Sequence, residues 1–469
     1  MNKKPDAIND LARLFTETRY EDLPPKAIEA AKKLIIDIMA TTSAGSTAQI
    51  VPEVAKYYMD LGGKPESSVF VYGKKIPMQN AALVNALMGH ARDWDDTLED
   101  AVIHETVTLI PTCFATAEKM GNVSGKDFIK AIVVGVDIMS RLCYGTPWGT
   151  VQSGFAFTAL MAYFGSAMAA SYLMGHNAEQ IANSAGIVLS QCAGGMQPVL
   201  DAVLTKRTQP AFGAFAGAQA ANLTEIGLAG ARNVLDGDYS FYNVYFRGNY
   251  DREALLKDLG KFWHIVNLSF KPYPCCRYNH PAIDTAKKMV KEHNIVPSEI
   301  ISIDAGTSKT GFTSVCAPVE VRKNPKEVVQ AQFSIPFNVS SAIVNGTVDL
   351  SSFEEKNLKN PEVLDLCRKF NLFIDDEIEA KFKDGCPPTR LTIHTTRGDF
   401  TDIVWHASGS IENMLSMDDI VAKYMSTKPY AARHVKDGAF ERVVEIVKHL
   451  DEEENVNVLI DAVNGAFED

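Results

Sequence analysis

The chain has 469 residues, 46% of them apolar and 22% charged, and a formal net charge of -12. That length is more than one ordinary core fills and predicts two domains. The acidic balance, with no basic cluster, argues against nucleic acid as a partner, and a small anionic substrate would have to be met by locally placed Lys, Arg or His.

Met1-Asn2-Lys3-Lys4-Pro5-Asp6 leads into a polar helix with no apolar stretch behind it, so no secretory signal is expected and the chain reads as cytoplasmic. Ile28, Ala31, Leu34, Ile35 and Ile38 form a 3.6-residue stripe that predicts a helix over 27–39. Further helices are expected at about 51–61, 78–89, 107–120, 125–142, 157–174, 178–192 and 208–224. The run over 157–174 is the most membrane-like, but Thr158, Tyr163, Gly165, Ser166 and Ser171 interrupt it, so it reads as a buried helix and no membrane partner is expected.

The pattern changes near residue 263. Strands are expected at 263–270 and 299–305 around a helix at 281–293, with helices at 333–344 and 361–370 and a hairpin at 390–396 and 399–405. After Ser408 helical periodicity returns, over 417–425 and 440–449. The predicted fold is mainly α: a large all-helical domain made of 1–266 and 401–469, interrupted by a smaller α+β lid domain at 267–400.

Five stretches could carry chemistry. His90 to Glu105 packs two histidines, an arginine and six carboxylates into sixteen positions. Unpaired charges are costly in a core, so these groups are expected to face solvent, one another or a ligand, and a functional cleft is the economical reading. Lys206 and Arg207 precede a small-residue helix, where cations oppose the helix dipole unless an anion joins them; the pair is a candidate carboxylate cradle. Phe270-Lys271-Pro272-Tyr273-Pro274-Cys275-Cys276 holds a lysine beside two thiols on a proline-stiffened backbone. Gly154 to Ala159 and Gln330 to Phe337 read only as core packing. The eight cysteines show no C-x-x-C spacing and read as buried thiols, neither bridged nor bound to zinc. Asp95-Asp96-Thr97-Leu98-Glu99 has the look of an aspartate-rich magnesium motif, but no second metal motif follows, so no metal and no cofactor is expected.

Several ordered motifs together resemble the MmgE/PrpD family, which includes 2-methylcitrate dehydratase, cis-aconitate decarboxylase and iminodisuccinate epimerase. They are Asp93-Trp-Asp-Asp-Thr97 after Asn85 to His90, the Lys206-Arg207 pair, Lys271-Pro-Tyr-Pro-Cys275 with His280-Pro-Ala-Ile-Asp284, Phe333-Ser-Ile-Pro336, and Gly409 with Leu415-Ser416 and Lys423-Tyr424. The resemblance implies a helical domain interrupted by an α+β lid, a homodimer, and metal-free chemistry at a proton next to a carboxylate. It also implies His104 as acid/base, Lys206 and Lys271 as charge-stabilising cations, Asp93 as the group that orients a cation, and Thr97 as a hydrogen-bond donor to substrate. Lys271 could itself transfer the proton; Arg207 and Cys275 join the substrate-binding set, with Cys275 a further acid/base candidate.

This sequence departs from the family pattern in the gap from Thr97 to His104, one residue longer than usual, at Phe157, which replaces a proline, and at four further positions. Ala156 stands where a cleft histidine is expected, Gln209 and Phe337 stand where many members have histidine and tyrosine, and Glu105 replaces the proline that follows the acid/base histidine. A lyase acting on a small di- or tricarboxylate other than cis-aconitate or 2-methylcitrate is the expected activity. An epimerase using two acid/base groups and a binding homologue without turnover stand as alternatives.

Overall fold

The structure, a computed structural model, describes residues 5–201, 203–382 and 385–468; Met1 to Lys4 of the leader reading lie outside them. The fold is mainly α with a smaller α+β region. One unit comprises residues up to Ala91, then Ala101–Leu268, and again from Ser416; the other comprises Arg92–Asp100 and Ser269–Leu415.

In the first unit, Asp6 caps α1 (Ala7–Glu17) by accepting the Ile8 N–H at 3.0 Å. Proline at the first position starts α2 (Pro25–Gly45), and α3 (Val51–Leu61) follows. A short antiparallel pair, β1 (Ser67–Val69) and β2 (Lys74–Ile76), was not legible in the sequence. Helix α4 (Met78–His90) is buried at every position from Ala81 to His90, as an apolar surface all round the helix requires. Then come α5 (Thr106–Met120) and α6 (Gly125–Tyr144).

The helix expected over 157–174 is divided at Met161 into a turn, Phe157–Leu160, and α7 (Ala162–Leu173). The turn is set by a small ladder in which the Ala156 N–H donates to the Gly194 carbonyl at 2.8 Å and Met196 N–H to the Gly154 carbonyl at 2.9 Å. Helix α8 (Ala178–Val188) ends four residues before the expected 192, and α9 (Thr205–Glu225) starts three residues before the expected 208. Helix α9 lies against α7 where Gly217 meets Ser166: a Cβ on Gly217 would come within 2.5 Å of the Ser166 Cβ, so only glycine permits this approach. Among the described residues no helix is long and apolar enough to cross a membrane.

The strand expected over 263–270 is instead a single turn, His264–Asn267. Asp137 of α6 accepts both the His264 backbone N–H, at 3.2 Å, and its ring Nδ1, at 2.6 Å, which removes the backbone donor a ladder would need.

In the second unit, α10 (His280–His293) packs on the sheet formed by β3 (Ile300–Thr307), β4 (Phe370–Ile374), β5 (Thr389–Thr395) and β6 (Gly398–Val404). The strand order is β4-β3-β5-β6, with β4 parallel to β3 and the other pairs antiparallel. Thr389, Leu391, Ile393 and Thr395 alternate inward along β5, and Leu391 and Ile393 share a core with Ile283, Ala286, Met289 and Ile303. The helix expected over 361–370 ends at Arg368, because Phe370 already pairs with Ile303 as the start of β4.

Two boundaries differ from the sequence reading. Arg92–Asp100 belongs to the second unit, since Thr97 and Ser269 exchange backbone hydrogen bonds of 2.9 and 2.8 Å. That unit also runs to Leu415 rather than 400, because the Phe270 N–H donates to the Gly409 carbonyl at 2.9 Å. In the first unit Met417–Ser426 docks on α2 through a buried ion pair, Lys423 Nζ to Asp37 Oδ1 at 2.7 Å.

Candidate active site

In the first unit α4, α5 and α9 pack on one another, and their ends bring three basic side chains together. His90 closes α4 and is almost wholly buried. Lys206, in the first turn of α9, places its Nζ 2.9 Å from His90 Nε2. His104, two residues before α5, sets its ring 5.2 Å from the His90 ring at 57°. The His104 backbone N–H donates to Thr158 Oγ1 at 3.0 Å, which anchors it to the turn after Ala156. Glu105 has no exposed surface and accepts the Ser140 hydroxyl at 2.9 Å. Arg207 is buried too, on a different side of α9 from Lys206, as successive helical residues must be.

Two of the positions that depart from the family pattern, Ala156 and Gln209, come together. Ala156 donates its N–H to Gly194, and Gln209 donates its side-chain amide to the Gly195 carbonyl at 2.8 Å, so both rest on one loop. Phe155 and Phe157 meet Tyr245 and Phe246 at 5.3 and 5.9 Å, so each ring packs against another aromatic.

The second unit holds Asp93, Thr97, Lys271 and Cys275. The Thr97–Ser269 pairing lays the 92–100 segment beside Lys271, which has no exposed surface. Lys271 Nζ donates to the Asp93 carbonyl at 2.9 Å and lies 3.5 Å from Asp93 Oδ2. Asp93 adopts the left-handed conformation, φ 53°, a sparsely populated one for a residue with a side chain, and so turns both its carbonyl and its carboxylate toward one ammonium. Burial pulls the Lys271 ammonium down, but Asp93 and Asp95 outweigh it and hold the pKa raised. The carboxylates beside it thus favour the charged form of Lys271, the form that serves as a charge-stabilising cation. Burial pushes the Cys275 thiol well above the ordinary cysteine range and so favours its protonated form.

Of the three settings expected for the charges of 90–105, solvent is the one these carboxylates do not take: Asp95, Asp96 and Glu105 have no exposed surface and Asp93 has 4%. Among the described residues no three His, Cys, Asp or Glu side chains gather where they could hold a metal ion.

Three residues of this second group carried no role in the sequence reading. Gln332, taken as core, donates its amide to the Arg92 carbonyl at 2.9 Å and to the Pro274 carbonyl at 3.1 Å. Arg277, fully engaged, donates to Glu99 at 2.7 Å, to the Ser408 carbonyl at 2.8 Å and to His280 Nδ1 at 3.1 Å. That last bond makes Nδ1 an acceptor and leaves the His280 proton on Nε2, 3.3 Å from the Cys275 carbonyl. Only the crowding of polar residues behind Lys271 could have pointed to them.

Burial, with Arg277 and Lys271 nearby, pushes His280 well below the ordinary histidine range. Its ring stays neutral in the folded protein, while the unfolded chain binds a proton below about pH 6.5. Stability present above that pH is therefore lost on acidification, at up to about 1.4 kcal/mol per pH unit for this group. Denaturation midpoints of the natural protein and His280→Gln, compared at about pH 7.5 and about pH 5.5, should converge toward acid. Parallel pH dependences would show that His280 is not the group responsible.

Comparison with known proteins agrees with this arrangement of motifs. The MmgE/PrpD N-terminal domain model matches residues 9–253 and the MmgE/PrpD C-terminal domain model matches 273–451. A cis-aconitate decarboxylase of Aspergillus terreus is 24% identical over 99% of this chain and 97% of its own length. A cis-aconitate decarboxylase-like protein, oryM, of Aspergillus oryzae is 25% identical over 97% of each chain. The human cis-aconitate decarboxylase is 25% identical over 94% of this chain and 91% of its own. With both domain models matched across most of its length, the chain belongs to the MmgE/PrpD family.

Proposed function

We propose that the protein is a metal-independent lyase that acts on a small di- or tricarboxylate-like acid by moving a proton at the carbon next to a carboxylate. The observation that carries this reading is the gathering of His104 and Lys206 around His90. In a dehydration, a base takes the carbon-bound proton, the electron pair passes into the adjacent carboxylate as an enediolate, and the β-hydroxyl leaves as water once protonated. In a decarboxylation, the C–C bond breaks, CO₂ departs, and an acid protonates the carbon that keeps the pair. Both routes need an imidazole that exchanges one proton and a cation at the developing oxyanion.

His104 takes the first role and Lys206 the second. Lys271 serves as a cation for a substrate carboxylate, held by Asp93, while Thr97 donates a hydrogen bond and Arg207 adds a second cation. The names of the relatives, cis-aconitate decarboxylases, support the lyase class. Incubation with a panel of di- and tricarboxylates in D₂O containing excess EDTA tests it: solvent deuterium should enter the carbon acid together with loss of water or CO₂. Exchange without loss would make the protein an epimerase, no exchange a binding homologue, and activity restored only by Mg²⁺ would return the aspartate-rich metal reading.

Ala156 and Gln209 support a substrate other than cis-aconitate or 2-methylcitrate, because a carboxylate that meets no imidazole there loses a hydrogen-bonded partner, a cost of about 2 to 5 kcal/mol. Steady-state kinetics should show negligible turnover of either acid and better turnover of one with fewer carboxylates or an apolar substituent. Efficient turnover of either, unchanged in Ala156→His, would remove this position from specificity.

A further inference from the structure

We propose that His90 is a positioning residue: it accepts a hydrogen bond from Lys206 and lies against His104, and so fixes the cation and the acid/base in one orientation. The inference rests on the roles proposed above for those two residues, but its basis is geometric. A lysine ammonium has three donors and no acceptor, so in the 2.9 Å contact the Lys206 Nζ donates and His90 Nε2 accepts. Accepting at Nε2 makes the His90 ring neutral and puts its proton on Nδ1.

The surroundings hold that ring still. His90 is 1% exposed and ends α4, a helix buried on every side, whereas Lys206 and His104 are only half-buried and lie at or just outside the first turns of α9 and α5. A flexible lysine stem loses rotamer freedom only where something receives its ammonium, and His90 is built into the most rigid of the three elements. A neutral ring between a cation and an acid/base imidazole also adds no second positive charge next to His104. His90 thereby touches both groups that the reaction uses without itself being given the substrate.

Two substitutions separate positioning from mere filling of space. Gln places an amide oxygen close to where Nε2 stands and keeps the acceptor; Leu keeps the bulk and removes it. On the acid of the di- and tricarboxylate panel that is turned over fastest, His90→Leu should lower kcat by about 10²-fold while KM changes little, because misplacing a reacting group acts on the chemical step. His90→Gln should recover most of that loss. Equal losses in both variants, or a change confined to KM, would overturn the proposal.

A second measurement needs no substrate. ¹⁵N-histidine NMR of the natural protein at neutral pH, with His90 identified by the signal missing in His90→Gln, should show a neutral ring protonated at Nδ1. Protonation at Nε2, or a doubly protonated ring, would refute it. If Lys206→Ala leaves kcat unchanged while the His90 tautomer is as expected, the catalytic role of Lys206 fails and the hydrogen bond stands.

Discussion

His104→Ala is expected to lower kcat by a factor of about 10² to 10⁴, the usual worth of a positioned general acid or base, which corresponds to about 3 to 5 kcal/mol of barrier. The effect should fall on kcat and kcat/KM together, because proton transfer is an interaction made in the transition state and not in the bound ground state. The fold should tolerate the change: the ring is half-buried, and the Thr158 hydroxyl grips the backbone N–H, which alanine keeps. Kinetics on the preferred acid, with circular dichroism to confirm folding, decide the matter. A folded variant that retains more than about a tenth of the natural kcat would take His104 out of the chemistry.

Asp137→Ala should produce the largest loss of stability, about 3 to 5 kcal/mol, as expected when one partner of a buried ion pair is removed. Asp137 has no exposed surface and accepts Arg141 Nε at 2.6 Å and both donors of His264. Arg141 is itself buried and donates to the carbonyls of Leu255, Lys257, Asp258 and Phe262 at 2.6 to 3.3 Å. Four carbonyls are only partial charges, so without the carboxylate the guanidinium is left buried and uncompensated. Asp137→Asn keeps an acceptor and should cost less. Urea denaturation measures both, and a loss under about 1 kcal/mol for the alanine variant would mean that this network does not hold the 255–264 segment to α6.

The amino-acid sequence determined most of the helices of the first unit and three of the four strands of the sheet, because hydrophobic period is a local property that one face of a helix or strand imposes on its own residues. It also determined the family, since ordered motifs such as Asp93 to Thr97 and Lys271 to Cys275 are read without knowing where they fold. Where local signal was ambiguous, tertiary contacts decided. The apolar run at 263–270 is a turn because Asp137, far away in the chain, captures His264; the 92–100 segment leaves the helical unit because Thr97 pairs with Ser269. The chemistry depended on tertiary structure still more. Lys206 and His90 are 116 positions apart and Lys271 and Asp93 178, and no spacing rule links residues so distant. The directions in which the pKa values of Lys271, Cys275 and His280 shift follow from burial and from which charges lie beside them, and both quantities exist only once the chain has folded.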